Sequence, residues 1–322
     1  MKLAFLFPGQ GSQAVGMGRA LAREFDEARA AFETADQELD LPLSRLCWEG
    51  PEDELRQTQN AQPALLVHSI AALRVLESRG FAPSVVAGHS LGEYSACVAA
   101  GALEFRHALR LVRLRGELMA KAGRRPGTMA AILGLSPAQV KRACTMASDA
   151  GLEVVAANFN APGQIVISGD VAAVEKACEI AKGEGAKRAL VLKVSGAFHS
   201  PLMEPAAEAL AAAIDEVDFL EPGCPIVSNV EAREVRSAEA AKTALKRQLT
   251  HPVLWEESMR VLLERKPDFY VEIGTGRVLC GLLKSLDPNA GSLALSLGEP
   301  KDVEITLSRL ESAKQPASNG SA

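Results

Sequence analysis

The sequence has no surplus of positive charge. Its 322 residues include 35 lysines and arginines against 40 aspartates and glutamates, which gives a formal net charge of −5. Proteins bind a phosphate backbone by neutralising it with basic side chains, so we expect no nucleic-acid partner. Aromatic residues make up only 4% of the chain, whereas hydrophobic residues make up 48%. Aliphatic side chains must therefore fill the core of a soluble globular protein.

Cysteines are few and scattered. The six of them, at positions 47, 97, 144, 178, 224 and 280, form no C-x-x-C pair. Zinc sites and disulfide frameworks use closely spaced cysteines, so we predict no metal and no disulfide, but reduced thiols in a cytoplasmic protein.

Long apolar runs are also absent. The opening run Leu3–Phe7 stops at Pro8, too early for a leader peptide, and no segment has transmembrane length, so we expect no membrane partner.

Strand-like and helical segments alternate along most of the chain. The apolar runs 3–7 and 84–87 are typical of strands buried on both faces. Helical patterns follow at about 17–39, at 63–79 and from 91 onward. The same alternation resumes later, with strands at 225–230 and 269–273 and helices at 205–214, 238–248 and 255–264. This order predicts an α/β fold built on a parallel sheet.

A different pattern occupies residues 126–195. Strands are predicted at 129–133, 154–158, 165–169 and 189–194, with one helix capped by Ser136 and ending near 147, and a second, 171–184, capped by Asp170. The order β-α-β-β-α-β predicts a small ferredoxin-like subdomain. We expect it to be inserted into a larger domain formed by residues 1–125 and 196–312. Residues 313–322 are small and polar, and we expect them to be disordered.

The candidate nucleophile is Ser90. It lies in a G-x-S-x-G pattern, Gly88-His89-Ser90-Leu91-Gly92, between an apolar strand and an amphipathic helix. In a nucleophile elbow the serine occupies such a tight strand-to-helix turn, and the helix N-terminus favours developing negative charge. Five residues alone are a weak signal, and the strand and helix on either side are what strengthen it.

A serine hydroxyl needs a base, and His199 is the best candidate among the five histidines. It follows a predicted strand, where catalytic side chains cluster. His68 lies in an apolar helix, His107 in a charged one and His251 in a loop, while His89 adjoins the serine and can shape the turn. The aspartates between Ser90 and His199 fall in the small subdomain, so a Ser–His dyad, its ring oriented by a neutral acceptor, fits better than a triad.

Several motifs together resemble one family, the malonyl-CoA:acyl carrier protein transacylases. The resemblance spans residues 3 to about 310. The motifs that carry it are Phe7-Pro8-Gly9-Gln10-Gly11-Ser12-Gln13, Gln62-Pro63-Ala64, the serine motif extended to Glu93, Asn158-Phe159-Asn160-Ala161-Pro162-Gly163-Gln164, Gly196-Ala197-Phe198-His199-Ser200-Pro201-Leu202-Met203, Gln248-Leu249-Thr250-His251-Pro252-Val253 and Glu272-Ile273-Gly274-Thr275-Gly276.

The resemblance implies a fold, an activity and a set of site residues. The fold is an α/β-hydrolase-like domain with a ferredoxin-like insertion. The activity is ping-pong transfer of malonyl from malonyl-CoA to the phosphopantetheine of acyl carrier protein in fatty acid synthesis, through a Ser90 ester, without a cofactor. The roles it implies are catalysis for Ser90 and His199, an oxyanion hole from the N–H groups of Gln10 and Leu91, and substrate binding for Arg115, Gln248, Gln62, Asn160, His89 and Phe198.

Within this set, Arg115 matches the arginine that binds the free carboxylate of the substrate. Whether Gln248 orients His199 through its side chain or its carbonyl stays open. Leu91 and Phe198 match the malonyl-selective pattern, so malonyl is expected over methylmalonyl.

Other functions remain in competition. One is an acyltransferase serving a polyketide synthase, another a serine hydrolase that passes acyl groups to water, and a third a non-catalytic binding module, against which the presence of both Ser90 and His199 argues. We expect a monomer. Carrier proteins are usually acidic, so docking on this acidic chain needs a local basic surface. The candidates are Lys182, Lys187, Arg188, Lys193 and Lys284.

Overall fold

In the computed structural model, the structure describes residues 1–122, 126–149, 151–194 and 196–314. Within these ranges the strands are β1 (Leu3–Phe7), β2 (Val85–Gly88), β3 (Gly127–Leu133), β4 (Val154–Ala161), β5 (Gln164–Asp170), β6 (Arg188–Val191), β7 (Ile226–Val227), β8 (Glu234–Val235), β9 (Phe269–Ile273) and β10 (Ala294–Leu297).

The helices of the described ranges lie between and after these strands. They are α1 (Arg19–Glu24), α2 (Asp26–Leu39), α3 (Leu43–Glu49), α4 (Glu52–Leu55), α5 (Thr58–Glu77), α6 (Gly92–Ala99), α7 (Phe105–Ala122), α8 (Pro137–Ala147), α9 (Val171–Gly183), α10 (Glu204–Asp215), α11 (Ala238–Gln248), α12 (Trp255–Glu264), α13 (Val278–Leu286), α14 (Pro288–Ser292) and α15 (Pro300–Lys314), with a 3₁₀ turn at Pro201–Met203.

The strands form two sheets, which confirms the predicted mixed α/β class. The larger has the order β10-β9-β1-β2-β7-β8, and its pairs are parallel except for β7 with β8. The smaller, β4-β5-β3-β6, is antiparallel throughout. Along the chain it reads β-α-β-β-α-β, the predicted element order. The predicted domain limits at 125 and 195 lie outside the described residues. Of the tail predicted to be disordered at 313–322, residues 313 and 314 belong to α15, so the prediction was wrong there, and 315–322 lie outside the described residues.

Strand β1 shows why its sequence is apolar throughout. Successive side chains of a strand point to opposite faces. Phe5 and Phe7 pack in one core cluster, and Ala4 and Leu6 pack with Trp255 in another on the opposite face. All five residues of the strand are buried. A continuous apolar run is what a strand covered on both faces requires.

Two predicted helices have different limits in the structure. The helix expected at 17–39 is broken at Phe25, which is extended (φ −120°, ψ 122°) and separates α1 from α2. The helix expected to begin at Pro63 begins five residues earlier. Proline inside a helix leaves the carbonyl four residues before it without its N–H partner. Here that carbonyl belongs to Gln59, and the Arg113 guanidinium donates to it at 3.0 Å.

Of the two predicted helix caps, one is confirmed and one is wrong, and one predicted strand is shorter than expected. Ser136 caps α8 in a full capping box with Gln139, as predicted. Asp170 precedes α9, but its side chain makes no cap bond and accepts instead from the Glu153 N–H at 2.7 Å, so that cap was wrong. The strand predicted at 225–230 is only β7, because the chain turns at 229–231.

The carboxyl ends of the parallel strands place the candidate residues together. Strand β1 leads into the loop with Gln10, β2 leads to Ser90, and β7 leads to Asn229. The small sheet is tied to this edge, because the Phe159 N–H donates to the Val253 carbonyl at 2.9 Å. Open α/β sheets bind ligands at this edge. Among the described residues, no helix combines the length and apolarity needed to cross a bilayer.

Candidate active site

Ser90 stands at a strained turn between β2 and α6. Its φ is +51°, a left-handed value that serine rarely adopts. The glycines on either side make the turn possible. A Cβ on Gly88 would lie 1.9 Å from the backbone of Gly92, and one on Gly92 would lie 2.1 Å from the Phe7 carbonyl oxygen. The predicted strand–turn–helix context of the elbow is therefore present, and a side chain at either glycine would collide with neighbouring backbone.

The side chain of Asn229 holds this turn in place. Its Oδ1 accepts from the Ser90 N–H at 2.7 Å, and its Nδ2 donates to the Gly88 carbonyl at 2.7 Å. Asn229 is fully buried. Strained backbone persists where its surroundings over-determine it, and these two bonds fix both sides of Ser90. The sequence analysis missed Asn229, although its place after a strand of the parallel sheet was a usable signal.

Ser90 and His199 are in direct contact. The Ser90 hydroxyl lies 2.7 Å from His199 Nε2, and His199 Nδ1 lies 3.0 Å from the Gln248 carbonyl oxygen. A carbonyl can only accept, so Nδ1 carries the proton and Nε2 is free to accept from the serine. That tautomer is the one a general base needs. His199 also has a positive φ, +58°, so both candidate catalytic residues sit on strained backbone.

The environment keeps His199 neutral. Burial, and after it the positive charge of Arg115, lowers the pKa of His199 to about 3. Both effects penalise the imidazolium, while the bond to the Gln248 carbonyl favours it. His199 is therefore unprotonated and ready to accept a proton across the physiological pH range.

Arg115, on α7, is a buried cation beside the nucleophile. Only 1% of it is exposed. Its Nη2 donates to Ser90 Oγ at 3.1 Å and to Gln248 Oε1 at 2.9 Å, and its Nη1 donates to Gln62 Oε1 at 2.7 Å. Its Nε has no partner among the described residues. A cation at this place stabilises negative charge on Ser90 Oγ and on any acyl group attached there.

The open question about Gln248 is settled by the geometry. Its backbone carbonyl orients His199, while its side chain bonds to other residues. The side-chain Nε2 donates to the Ser90 carbonyl at 2.8 Å, and Oε1 accepts from Arg115. One residue at the end of α11 thus contacts the serine, the histidine and the arginine.

A cavity of about 480 Å³ opens above Ser90 between the two sheets. From the large sheet and its loops it is lined by Gln10, His89 and Ser90, and from the other side by Asn160, Phe198 and His199. Met129 and Val166 of the small sheet and Leu282 of α13 add apolar wall. The apolar lining with a few convergent polar groups is typical of a small-molecule site.

The N–H groups of Gln10 and Leu91 are unoccupied. Neither donates to another group within the described part of the chain. The Gln10 side chain is fixed by a 3.2 Å bond to Thr58 Oγ1, and Leu91 precedes α6 with its side chain buried. Both donors therefore remain available to a ligand at Ser90.

All ten predicted site residues come together. Four of them, Leu91, Arg115, Gln62 and Gln248, do not line the cavity. Leu91 adjoins Ser90 in the chain, and Arg115 is hydrogen-bonded to both glutamines. His89 lines it with Asn160, to which its Nε2 is joined at 2.8 Å, and its ring packs on Trp255. Burial lowers the pKa of His89, and because an amide oxygen only accepts, Nε2 carries a proton and donates to Asn160 Oδ1.

The remaining histidines do not contact Ser90. His68 is buried as expected and bonds to Thr275 and the Gly298 carbonyl. His107 lies near Glu104, and His251 bonds to the Arg247 carbonyl. In the described ranges all six cysteines are unpaired, and no cluster of three or more His, Cys, Asp and Glu side chains could hold a metal ion.

Comparison with known proteins identifies the family. The model of the acyl transferase domain matches residues 4–285. A malonyl CoA-acyl carrier protein transacylase of Bacillus subtilis is 46% identical over 311 residues, which cover 96% of this chain and 98% of the relative. One from Escherichia coli is 42% identical over 308 residues, covering 95% and 99%.

Solved structures similar to this chain support the same family. The malonyl CoA-acyl carrier protein transacylase of Coxiella burnetii superposes with a TM-score of 0.93 at 39% identity, covering 96% of this chain and 98% of that one. A malonyl-transacylase solved in complex with a type II polyketide synthase acyl-carrier protein superposes with a TM-score of 0.91 at 43% identity, covering 96% and 100%. The chain therefore belongs to the acyl transferase domain family and, within it, to the malonyl CoA-acyl carrier protein transacylases.

Proposed function

We propose that this protein transfers malonyl from malonyl-CoA to the phosphopantetheine thiol of an acyl carrier protein. The observation that carries the proposal is the buried guanidinium of Arg115, 3.1 Å from the oxygen of a serine that is paired with a neutral histidine. Malonyl has one carboxylate more than acetyl, and a carboxylate buried without a partner is costly. A cation beside the nucleophile suits that substrate, and the names of the relatives agree with it.

In the first half-reaction, His199 Nε2 takes the proton of Ser90 as Oγ attacks the thioester carbon. The oxyanion accepts bonds from the N–H groups of Gln10 and Leu91, in our proposal. When the C–S bond breaks, the CoA sulfur leaves with the proton held by His199. In the second half, the carrier thiol gives its proton to His199 and attacks the ester, and Ser90 Oγ leaves and recovers the proton. The scheme balances with these residues alone, so we propose that no cofactor is required.

The competing function is hydrolysis of the same acyl-serine by water. The two are separated by measuring CoA release from malonyl-CoA with and without a phosphopantetheinylated carrier protein. A transferase releases CoA once per active site without carrier and continuously with it. Sustained release without carrier would make the chain a hydrolase and contradict the proposal.

The pathway served is a separate matter. We propose fatty acid synthesis, on the names of the relatives that match this chain over almost their full length. The similar transacylase bound to a polyketide synthase carrier keeps polyketide synthesis as a second candidate. Comparing kcat/KM for carriers of the two kinds decides between them.

We also propose the oligomeric state, the location in the cell and the fold classes of the two domains. We propose a monomer, since the catalytic pair and Arg115 need no residue from a second chain, and a cytoplasmic location, in keeping with the unpaired cysteines. The serine after a strand of a parallel sheet supports the α/β-hydrolase-like class for 1–125 with 196–312. The sheet order β4-β5-β3-β6 supports the ferredoxin-like class for 126–195.

The pH dependence should reveal the influence of Arg115 on His199. Protonated His199 cannot accept the serine proton, so acylation is lost as the pH falls through its pKa, which lies well below that of a free histidine. For acetyl-CoA, which has no second carboxylate to titrate, the acid limb that belongs to His199 should therefore lie below about pH 5, whereas Glu93, with a pKa of about 7, titrates above that limb. In Arg115→Ala the repulsion is gone, so the acid limb should move to higher pH. Identical limbs in both proteins would contradict this electrostatic coupling.

The docking surface for the carrier is predicted on the edge of the small sheet. Lys187 and Arg188 are exposed beside and on the edge strand β6, and Lys193 is exposed at the cavity wall. Reversing the charge of Lys187 and Arg188 should raise the KM for an acidic carrier several-fold and leave acylation by malonyl-CoA unchanged. As a control, Arg45 and Lys301, exposed but not lining the cavity, are reversed. An unchanged carrier KM would remove this edge from the docking site.

A further inference from the structure

Glu93 is a buried carboxylate behind the active site with no role in the reaction described above. It follows Ser90 by three residues, on the first turn of α6, and only 1% of it is exposed. Its two oxygens accept from two different elements. Oε1 accepts from the Asn229 backbone N–H at 3.2 Å, and Oε2 accepts from Gln248 Nε2 at 2.6 Å.

The two partners of Glu93 are the residues that fix the reacting groups. Asn229 holds both sides of the Ser90 turn. Gln248 contacts the Ser90 carbonyl, the Arg115 guanidinium and the His199 ring. One carboxylate thus joins the residue that holds the nucleophile to the residue that holds the base and the cation.

The hydrogen-bond chemistry leaves the Gln248 side chain a single orientation. A carboxylate only accepts and a guanidinium only donates. The amide lies between the two, so its NH₂ must face Glu93 and its oxygen must face Arg115. The Ser90 carbonyl also accepts from this NH₂, at 2.8 Å, so Glu93 is one of two acceptors that hold it, and at 2.6 Å Glu93 accepts the shorter bond. The position in which Gln248 accepts from Arg115 therefore rests in part on Glu93.

We infer that Glu93 is a positioning residue that sets the Gln248 amide, and through it the Arg115 guanidinium, for recognition of the substrate's free carboxylate. The inference rests on the proposed malonyl transfer. The charges of the two residues are consistent with this role. Glu93 lies near the buried Arg115, and its negative charge partly balances the guanidinium until a substrate carboxylate binds. Burial raises the pKa of Glu93, the bonds from Gln248 and Asn229 and the charge of Arg115 oppose that rise, and the pKa that results is about 7.

The test is Glu93→Gln, which keeps the shape but offers one acceptor where two are needed. The Asn229 N–H cannot turn, so it keeps the oxygen of the new amide. The new NH₂ then faces the Gln248 NH₂, so two donors oppose each other in place of the 2.6 Å bond, and the Gln248 side chain shifts away from its bond to Arg115. We expect kcat/KM for malonyl-CoA to fall at least about tenfold and the ratio of malonyl to acetyl acylation to fall with it.

A matched control separates positioning from simple loss of stability. Glu272 is equally buried and also accepts from two N–H groups, those of Leu279 and Cys280, but it contacts none of the reacting residues. Glu272→Gln should lower the melting temperature to a similar degree while the malonyl-to-acetyl ratio stays at the wild-type value. A similar change of ratio in both variants would show a merely structural role.

The decisive readout is a double-mutant cycle with Gln248→Ala, which removes the side chain and keeps the carbonyl that orients His199. In that background Glu93→Gln should have almost no further effect on the ratio. Full, additive effects would overturn the inference. If Glu93→Gln does not fold, the ratio of malonyl to acetyl acylation in Gln248→Ala is the test by itself. An unchanged ratio in that variant would show that the Gln248 side chain does not influence Arg115, and would overturn the inference. Failure of the proposed function would appear separately, as absence of malonyl transfer in the wild type.

Discussion

Replacing Ser90 with alanine should abolish formation of the acyl-enzyme. No other hydroxyl in the described ranges combines an elbow turn with a bond to a neutral histidine, so no other residue can form the ester. The acyl group is followed by mass spectrometry after mixing with malonyl-CoA. Ser84→Ala is the control, because Ser84 lies at the opposite end of β2 and bonds to the Leu3 carbonyl.

The same experiment with His199→Ala should give a slow acylation instead of none. Removing a general base typically costs about 10²–10⁴ in rate, while the serine, Arg115 and the oxyanion donors remain. His107→Ala, a substitution on α7 away from the cavity, is the control. A malonyl ester retained at another residue in Ser90→Ala, or a wild-type rate in His199→Ala, would show that the pair is not the catalytic one.

Replacing Arg115 with alanine should remove the preference for malonyl over acetyl that this residue provides. A charge-assisted contact between guanidinium and carboxylate contributes about 1.5–3 kcal/mol, or roughly tenfold to more than a hundredfold in discrimination. Malonyl transfer should fall by that factor, while acetyl transfer should persist or rise, because Ser90 and His199 are retained. The measurement is kcat/KM for malonyl-CoA and acetyl-CoA in both proteins.

The control for selectivity is Arg110→Ala, on the same helix. Arg110 is exposed and pairs with Glu38, so the malonyl-to-acetyl ratio should stay at the wild-type value. If the ratio is also unchanged in Arg115→Ala, Arg115 does not recognise the carboxylate, and the proposed substrate loses its physical basis.

The sequence predicted the nucleophile and base because their signals are local. The elbow needs glycines at fixed offsets from Ser90, and His199 lies in a loop where catalytic side chains cluster. The mixed α/β class and the element order of the small sheet followed from periodicity, which also depends on neighbouring residues. These features could be predicted without knowing which segments meet.

The rest depends on contacts between distant segments. The early start of α5 is possible because Arg113, fifty-four residues away, satisfies the carbonyl that Pro63 leaves without a partner. Glu93 carries no local signal of its role, and the only signal for Asn229 was its place after a strand, since each acts through partners more than a hundred residues away. Gln248 acts through both its carbonyl and its side chain, and only the fold shows which group faces which partner.

The central claim, that malonyl passes through an ester on Ser90, is tested most directly by intact-mass measurement. The wild-type protein is mixed with malonyl-CoA, digested to locate the adduct, and then mixed with a phosphopantetheinylated carrier protein. The account predicts one malonyl group per chain, located on Ser90, which disappears as the carrier gains the same mass. An adduct at another residue, no adduct, or an adduct on Ser90 that water removes without any gain by the carrier would contradict it.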